Sequence, residues 1–300
     1  MSTGPSRAAR PEDIARLDRG VECAGVDLSG ADLTNRWLGG VNLSGADLRR
    51  ADMRGVVLTN ASLVKADLRG ARLGGADLSH AIVSGSVFRG ASMREVRLRG
   101  VDLRGVDLSG MDMEGADLEG VNLEGADLRK TCFFRASLRD ANMKGANLEG
   151  AYMVDVDLTG AKLVGACLRR CNLSRVYLFD RKLLANAANP SSLAASDISN
   201  ATFENATMRG VVLTGAVTAG CIFRGAELWR ANMAGVDFRR VDFAGADLER
   251  ADLSNANLDG ADFSGAVLRD AEVTGAYVGR ACLVGADLLG VKLSRTRWEP

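Results

Sequence analysis

The chain is short of almost everything an enzyme uses. Its 300 residues include one histidine, His80. A lone histidine makes neither a metal cluster nor a nucleophile–base pair, so His80 reads as a solvated turn residue. No carboxylate pair stands apart as acid and base, and no glycine cluster forms a phosphate loop. We therefore expect no enzyme and no cofactor. No apolar run approaches the ~20 residues of a membrane-spanning helix. Residues 1–10 carry Arg7 and Arg10 with no apolar stretch behind them, so a secretory signal is not expected and the cytoplasm is. There is no charge excess either: 38 basic and 38 acidic residues cancel, with a pI near 6.6. That balance argues against a surface that tracks nucleic-acid phosphates. Six cysteines do not make a disulfide framework. Cys23, Cys171 and Cys221 fall on positions that point inward in the pattern described next, and Cys132, Cys167 and Cys282 on outward ones.

What is abundant is a five-residue beat. Counted in fives from Val21, the third position is a sizeable apolar residue from Cys23 and Leu28 to Leu293 and Trp298, except at Ala188 and Thr218. The position two before it is Ala, Val, Ser, Thr or Cys, except at Arg36, Met111, Arg181 and Asn186. One large and one small inward residue in every five excludes both a helix and a flat strand. The chain must turn once per pentad, and four turns close a coil of twenty. Phe203, Phe223, Phe243 and Phe263 support that period, since stacked coils would set these rings one above another. Asp or Asn before the central residue and Gly at the pentad's end suit the turns. Such a pentad is stable only within a stack, where its neighbours cover the buried face.

Ala31-Asp32-Leu33-Thr34-Asn35, Ala66-Asp67-Leu68-Arg69-Gly70 and Ala116-Asp117-Leu118-Glu119-Gly120 resemble the pentapeptide-repeat family and its A(D/N)LXX signature. The resemblance runs over residues 21–298. It implies an all-β fold, a right-handed quadrilateral parallel β-helix. About 13–14 coils at ~4.8 Å each would make a rod of roughly 67 Å.

Both ends of such a rod need covering. Pro11, then Glu12 and Asp13, with Arg16 and Arg19 later and Gly20 as a stop, predict a short capping helix over residues 11–19 whose Ile14 and Leu17 cover the first coil. The other end has no such lid. Val284 and Leu289 point outward there and Trp298 sits in the last pentad, which suits a head-to-head homodimer; the alternative is that residues 294–300 fold over the end. One break interrupts the beat. Residues 181–190 bring Arg181, Asn186 and Ala188 into inward phase and end in Asn189-Pro190, so they read as a short helix or bulge leaving the coil. The organisation expected is a start and cap over 1–20, a first stack over 21–180, an excursion over 181–190 and a second stack over 191–300. The five-residue count alone does not align the faces before and after the break.

Two surface features stand out. Residues 101–125 carry Asp102, Asp107, Asp112, Glu114, Asp117, Glu119 and Glu124 against Arg104 alone, an acidic ring round the rod. Just before the break, outward Phe134, Tyr152, Tyr177 and Phe179 accompany Arg169, Arg170 and Arg175 as a candidate binding patch. Trp37 and Trp229 also point outward but stand far from it. The plain alternatives are a solvated charged band and a patch covered by the excursion itself.

The family resemblance implies a function in which a rod-like homodimer, joined at its C-terminal ends, guards DNA gyrase and topoisomerase IV from antibiotic poisons by imitating DNA. The neutral net charge departs from that pattern. A structural or adaptor rod that binds another protein partner without mimicry is the second reading, and direct nucleic-acid binding the third.

Overall fold

A computed structural model of the chain describes residues 11–18, 23–173 and 196–298. Apart from one short helix, the described residues repeat a single unit. The second residue of each pentad makes a parallel bridge, and the fourth and fifth form a turn. The bridges join residues twenty apart: Asp27 to Asp47, Asp47 to Asp67, Asn122 to Asn142, Asp262 to Cys282. Four turns fall within each bridge interval. The central amide donates to the coil below, as Leu28 N–H does to Asp47 O at 2.8 Å, and the next coil's amide donates back, as Asp47 N–H does to Val26 O at 2.9 Å. The ladder thus satisfies the backbone between coils, while one amide per pentad closes the turn within a coil, as Ala31 N–H does on Leu28 O at 3.0 Å.

The outward Asp and Asn set the turns. Their side-chain oxygen accepts the amide two residues on, for example Ser29 N–H on Asp27 at 3.1 Å and Thr34 N–H on Asp32 at 3.0 Å. The closing residue lies in the left-handed region whether it is Gly30 (φ 67°) or His80 (φ 60°). Glycine is favoured there because a Cβ opposes that conformation.

Inside, the large residues form columns and the small ones fill between them. Phe203, Phe223, Phe243 and Phe263 stack with centroids 4.9, 5.1 and 5.0 Å apart and planes within 7° of parallel. Phe238 meets Phe243 edge-on at 5.2 Å. Where the small slot holds a polar residue, its side chain donates to a main-chain carbonyl one coil up: Thr131 to Leu108 O at 2.9 Å, Cys171 to Leu148 O at 2.8 Å, Cys221 to Ile198 O at 2.9 Å. This is why Thr and Cys are tolerated among alanines.

The helix α1 (Pro11–Asp18) begins with Glu12 and Asp13 in its first turn and has Arg16 in its last. Leu17 is buried and Ile14 packs against the core. Asp13 does more than favour the helix dipole. Its carboxylate is buried and accepts the Asp27 amide at 3.2 Å, occupying a strand-edge donor of the first coil. Arg19 and Gly20, expected to end the helix, lie outside the described residues, as does the whole of 181–190.

The pairing on either side of the break is described and aligns the two stacks. Lys162 bridges Asp197, Cys167 bridges Thr202, and Asn172 bridges Thr207, each offset by 35 residues instead of 20. Three extra pentads keep the count of five and shift the count of twenty. The Phe203 column therefore continues upward through Leu168, Leu148, Leu128 and Leu108 to Phe88.

Candidate functional site

The strand columns decide which outward residues meet. Asp112 bridges Cys132, and Cys132 bridges Tyr152. Gly115 N–H donates to Phe134 O at 2.8 Å, which sets Glu114 beside Phe134 in neighbouring coils. So Asp112 and Glu114 of the acidic ring and the described half of the aromatic patch share one side of the rod. Phe134 and Tyr152 touch, with centroids 6.1 Å apart and planes at 46°, and the Arg135 guanidinium lies 4.7 Å above the Phe134 ring. Tyr152 is 43% exposed. Asp117 and Glu119 sit on the next side, in the column of Trp37, Val57, Asp77 and Arg97. Trp37 is the most exposed large hydrophobic residue described, at 76%. Tyr177 and Phe179, with Arg175, lie outside the described residues.

The acidic ring is not bare. Arg94 reaches down to Asp112 at 3.1 Å and also grips Glu114. Arg99 does the same for Asp117 at 2.5 Å and Glu119 at 3.3 Å. Arg104 pairs with Asp102 at 2.7 Å and holds its carboxyl below the ordinary value, chiefly by its side-chain hydrogen bond. These contacts belong to a lattice over the whole rod. Arginine at the fourth position pairs with the carboxylate two residues before it, as in Asp47–Arg49 and Asp127–Arg129, or with the one eighteen residues on, as in Arg224–Asp242 and Arg269–Asp287. Each exposed pair contributes little to stability, about 0–1 kcal/mol. Together they neutralise the surface locally, which the net charge of the 101–125 segment conceals. The offset of eighteen was readable once the coil length was known, yet Arg94 and Arg99 lie outside the acidic segment and were missed.

Of the patch arginines, Arg169 pairs with Glu204 at 3.1 Å across the break, while Arg170 is exposed at the corner two residues before Asn172, the next residue in the Tyr152 column. Among the described residues no group of three His, Cys, Asp or Glu side chains is placed to hold a metal. No helix among them is long and apolar enough to cross a membrane. None of the six cysteines forms a disulfide, Cys167 and Cys171 included.

At the far end, core positions come to the surface. Leu288, Leu293 and Trp298 are central residues of their pentads but are 42%, 50% and 53% exposed. They surround an apolar depression with Phe263, Leu268 and Val278 at its floor. Val284 and Leu289 flank it at 75% and 71% exposed.

Among solved structures, HetL of the cyanobacterium Nostoc sp. strain PCC 7120, a pentapeptide repeat protein involved in heterocyst differentiation regulation, is 28% identical over 97% of each chain, with a TM-score of 0.23. A trypsin-treated form of QnrB1, a plasmid-mediated fluoroquinolone resistance protein, is 16% identical over 75% of this chain and 90% of its own, with a TM-score of 0.23. The pentapeptide repeat protein Rfr23 of the cyanobacterium Cyanothece 51142 is 26% identical over 46% of this chain and 91% of its own, with a TM-score of 0.18. At TM-scores this low the likeness carries no argument. No curated protein matches the chain. The family profile described as pentapeptide repeats matches in eight copies, over residues 38–75, 71–110, 102–140, 136–175, 221–260 and 246–283. With that match over well over half of its length, and with the five-residue turn and twenty-residue bridge interval, the chain belongs to the pentapeptide-repeat family.

Proposed function

We propose that this chain is a non-enzymatic, cytoplasmic rod, right-handed and four-sided, that binds another protein along one side and pairs with a second copy of itself through its C-terminal end. The two stacks on either side of residues 181–190 act as one length of surface. One observation carries the reading: the side bearing Asp112, Glu114, Phe134, Arg135 and Tyr152 combines paired charges with an exposed Tyr152 ring against a half-buried Phe134 ring. Aromatics beside satisfied ion pairs suit a protein interface. A phosphate-tracking groove would need unpaired cations, and a DNA mimic would need unpaired anions. The exposed Leu289, Val284 and Trp298 support the self-pairing.

The most specific version, implied by family membership, is protection of DNA gyrase and topoisomerase IV from antibiotic poisons. The pairing of the acidic ring by Arg94 and Arg99 favours the alternative, an adaptor or scaffold that binds its partner without imitating DNA. The test is gyrase supercoiling with a quinolone present, with and without the protein. Protection that vanishes when Asp112, Glu114, Asp117 and Glu119 become Asn or Gln supports mimicry. Protection that survives this but vanishes when Phe134, Tyr152, Tyr177 and Phe179 become Ala keeps the target and assigns the aromatic side. Neither protection nor inhibition at several-fold excess removes the topoisomerase version.

A further inference from the structure

We propose that the rod bends at one place, between the coil of residues 81–100 and the coil of residues 101–120, by opening a seam that is already unzipped on two of its four sides. One coil above, the ladder is complete: Leu63 N–H donates to Ile82 O at 2.8 Å and Leu68 N–H to Val87 O at 2.8 Å. One coil below it is complete again, with Leu103 N–H on Asn122 O at 2.7 Å and Leu108 N–H on Asp127 O at 2.9 Å. At the seam, the amides of Val83, Gly85, Phe88 and Gly90 on one lip and of Asp102, Asp107 and Asp112 on the other have no main-chain partner among the described residues. Bridges from Ile82 to Asp102, from Val87 to Asp107 and from Ser92 to Asp112 are correspondingly missing. The third side is half joined, with Met93 N–H on Asp112 O stretched to 3.3 Å. The fourth is closed: Leu98 N–H reaches Asp117 O at 2.8 Å and Asp117 N–H reaches Val96 O at 2.9 Å. The opening is therefore a wedge hinged on the fourth side, and a groove of about 570 Å³ lined by Ile82, Ser84, Asp102 and Arg104 runs along its open side.

The small inward slots account for it. In the coil of 61–80 they hold Ala61, Ala66, Ala71 and Ala76. In the coil of 101–120 they hold Val101, Val106, Met111 and then Ala116. The seam is unzipped above Val101 and Val106, half joined above Met111, and shut above the alanine. Extra methyl groups in a close-packed slot force neighbouring backbone apart. The core itself stays dry, since Val83, Phe88, Leu103 and Leu108 are each 1% exposed. The backbone ladder has taken up the excess volume. A second, shorter gap leaves the amides of Gly215, Thr218, Gly220, Asp237 and Asp242 without a main-chain partner among the described residues, and it is stitched at one point, because the Thr218 hydroxyl donates to Asp237 O where the amide does not. The upper seam has no such stitch. Bending there breaks fewer ladder bonds than at any complete coil junction, so motion concentrates at it.

Two measurements on the full chain test this. In amide exchange of the unaltered protein, Val83, Gly85, Phe88 and Gly90 should exchange on the order of tenfold or more faster than Leu103, Gly105, Leu108 and Gly110 one coil on. Equal protection of the two sets overturns the proposal. For the bend, spin labels at Val64→Cys and Lys144→Cys span the open side, and labels at Thr59→Cys and Arg139→Cys span the closed side, with Cys132, Cys167 and Cys282 changed to Ser. Each pair spans four coils, about 19 Å of backbone. The distance distribution should be broader on the open side. Changing Val101, Val106 and Met111 together to Ala should narrow it and slow the seam amides. Equal widths on the two sides, or a width the triple change leaves unaltered, refute the hinge.

Discussion

Phe243→Ala probes the assumption on which the whole rod rests, that burial between coils supplies its stability. Phe243 is fully buried. Its ring lies 5.1 Å from that of Phe223 and 5.0 Å from that of Phe263, both nearly parallel, and 5.2 Å from that of Phe238 at 76°. Truncating a buried Phe costs about 3–5 kcal/mol. The upper half of that range applies here, because three ring contacts worth about 0.5–1.5 kcal/mol each go at once. The coils on both sides are clamped by the ladder and cannot collapse into the void, as Phe223 N–H on Asp242 O and Phe243 N–H on Asp262 O are both at 2.7 Å. Phe243→Leu keeps most of the volume and should cost less than about 1.5 kcal/mol. Asp247→Ala, one pentad on, removes a turn bond to the Glu249 amide at 3.0 Å from a half-buried site and should cost about 0.5–1 kcal/mol. Urea denaturation followed by circular dichroism measures all three, provided the slope stays constant. A loss for Phe243→Ala no larger than for Asp247→Ala would refute the account of the core. So would a loss of the same size for Phe243→Leu.

Other outcomes follow from particular contacts. Burial pushes the thiols of Cys171 and Cys221 up to about 12, and Cys23 is buried too, so a thiol reagent at neutral pH should modify Cys132, Cys167 and Cys282 in the native protein and all six after unfolding; native labelling of Cys171 would contradict the inward assignment. The Arg280 guanidinium, bonded to Asp259 at 2.5 Å and helped by the Arg280 amide, holds the Asp259 carboxyl at about 2. A carboxyl depressed on folding stabilises above its ordinary 3.8 and loses that contribution as pH falls from there towards about 2, so Arg280→Gln should move the Asp259 titration up towards 3.8 by NMR and remove that step from the acid stability profile. Glutamate at Val284 and Leu289 should convert a dimer to a folded monomer in light scattering; an unaltered protein that stays monomeric at high concentration removes the self-pairing.

The coil was legible in sequence because every pentad states it again. A five-residue period with one large and one small inward residue has one way to bury both, and the spacing of Phe203, Phe223, Phe243 and Phe263 already reported the coil length. The surface was less legible for a reason specific to solenoids. Residues that touch across coils are eighteen or twenty apart in sequence, so a window of linear charge, such as 101–125, counts Asp112 and Glu114 but leaves out Arg94, which holds both. The break compounds this, since an offset of 35 cannot be told from one of 40 by the five-residue count alone.

The irregular residues were the most informative and the easiest to pass over. Met111 appeared in the sequence only as an exception to the small slot. Beside Val101 and Val106 it becomes the third bulky residue of one coil, where the ladder opens above the two valines and half opens above Met111. Thr218 appeared only as an exception to the large position, and its hydroxyl replaces the amide bond missing on that side. In a repeat with redundant pairing, a single misfit leaves a shorter gap, as at Thr218, whose hydroxyl keeps one bond across it. Three misfits in one coil exceed what side-chain adjustment absorbs in a close-packed core, and the backbone gives way instead. Departures from the repeat therefore have to be counted per coil rather than per residue, because the coil is the unit that stays in register or separates.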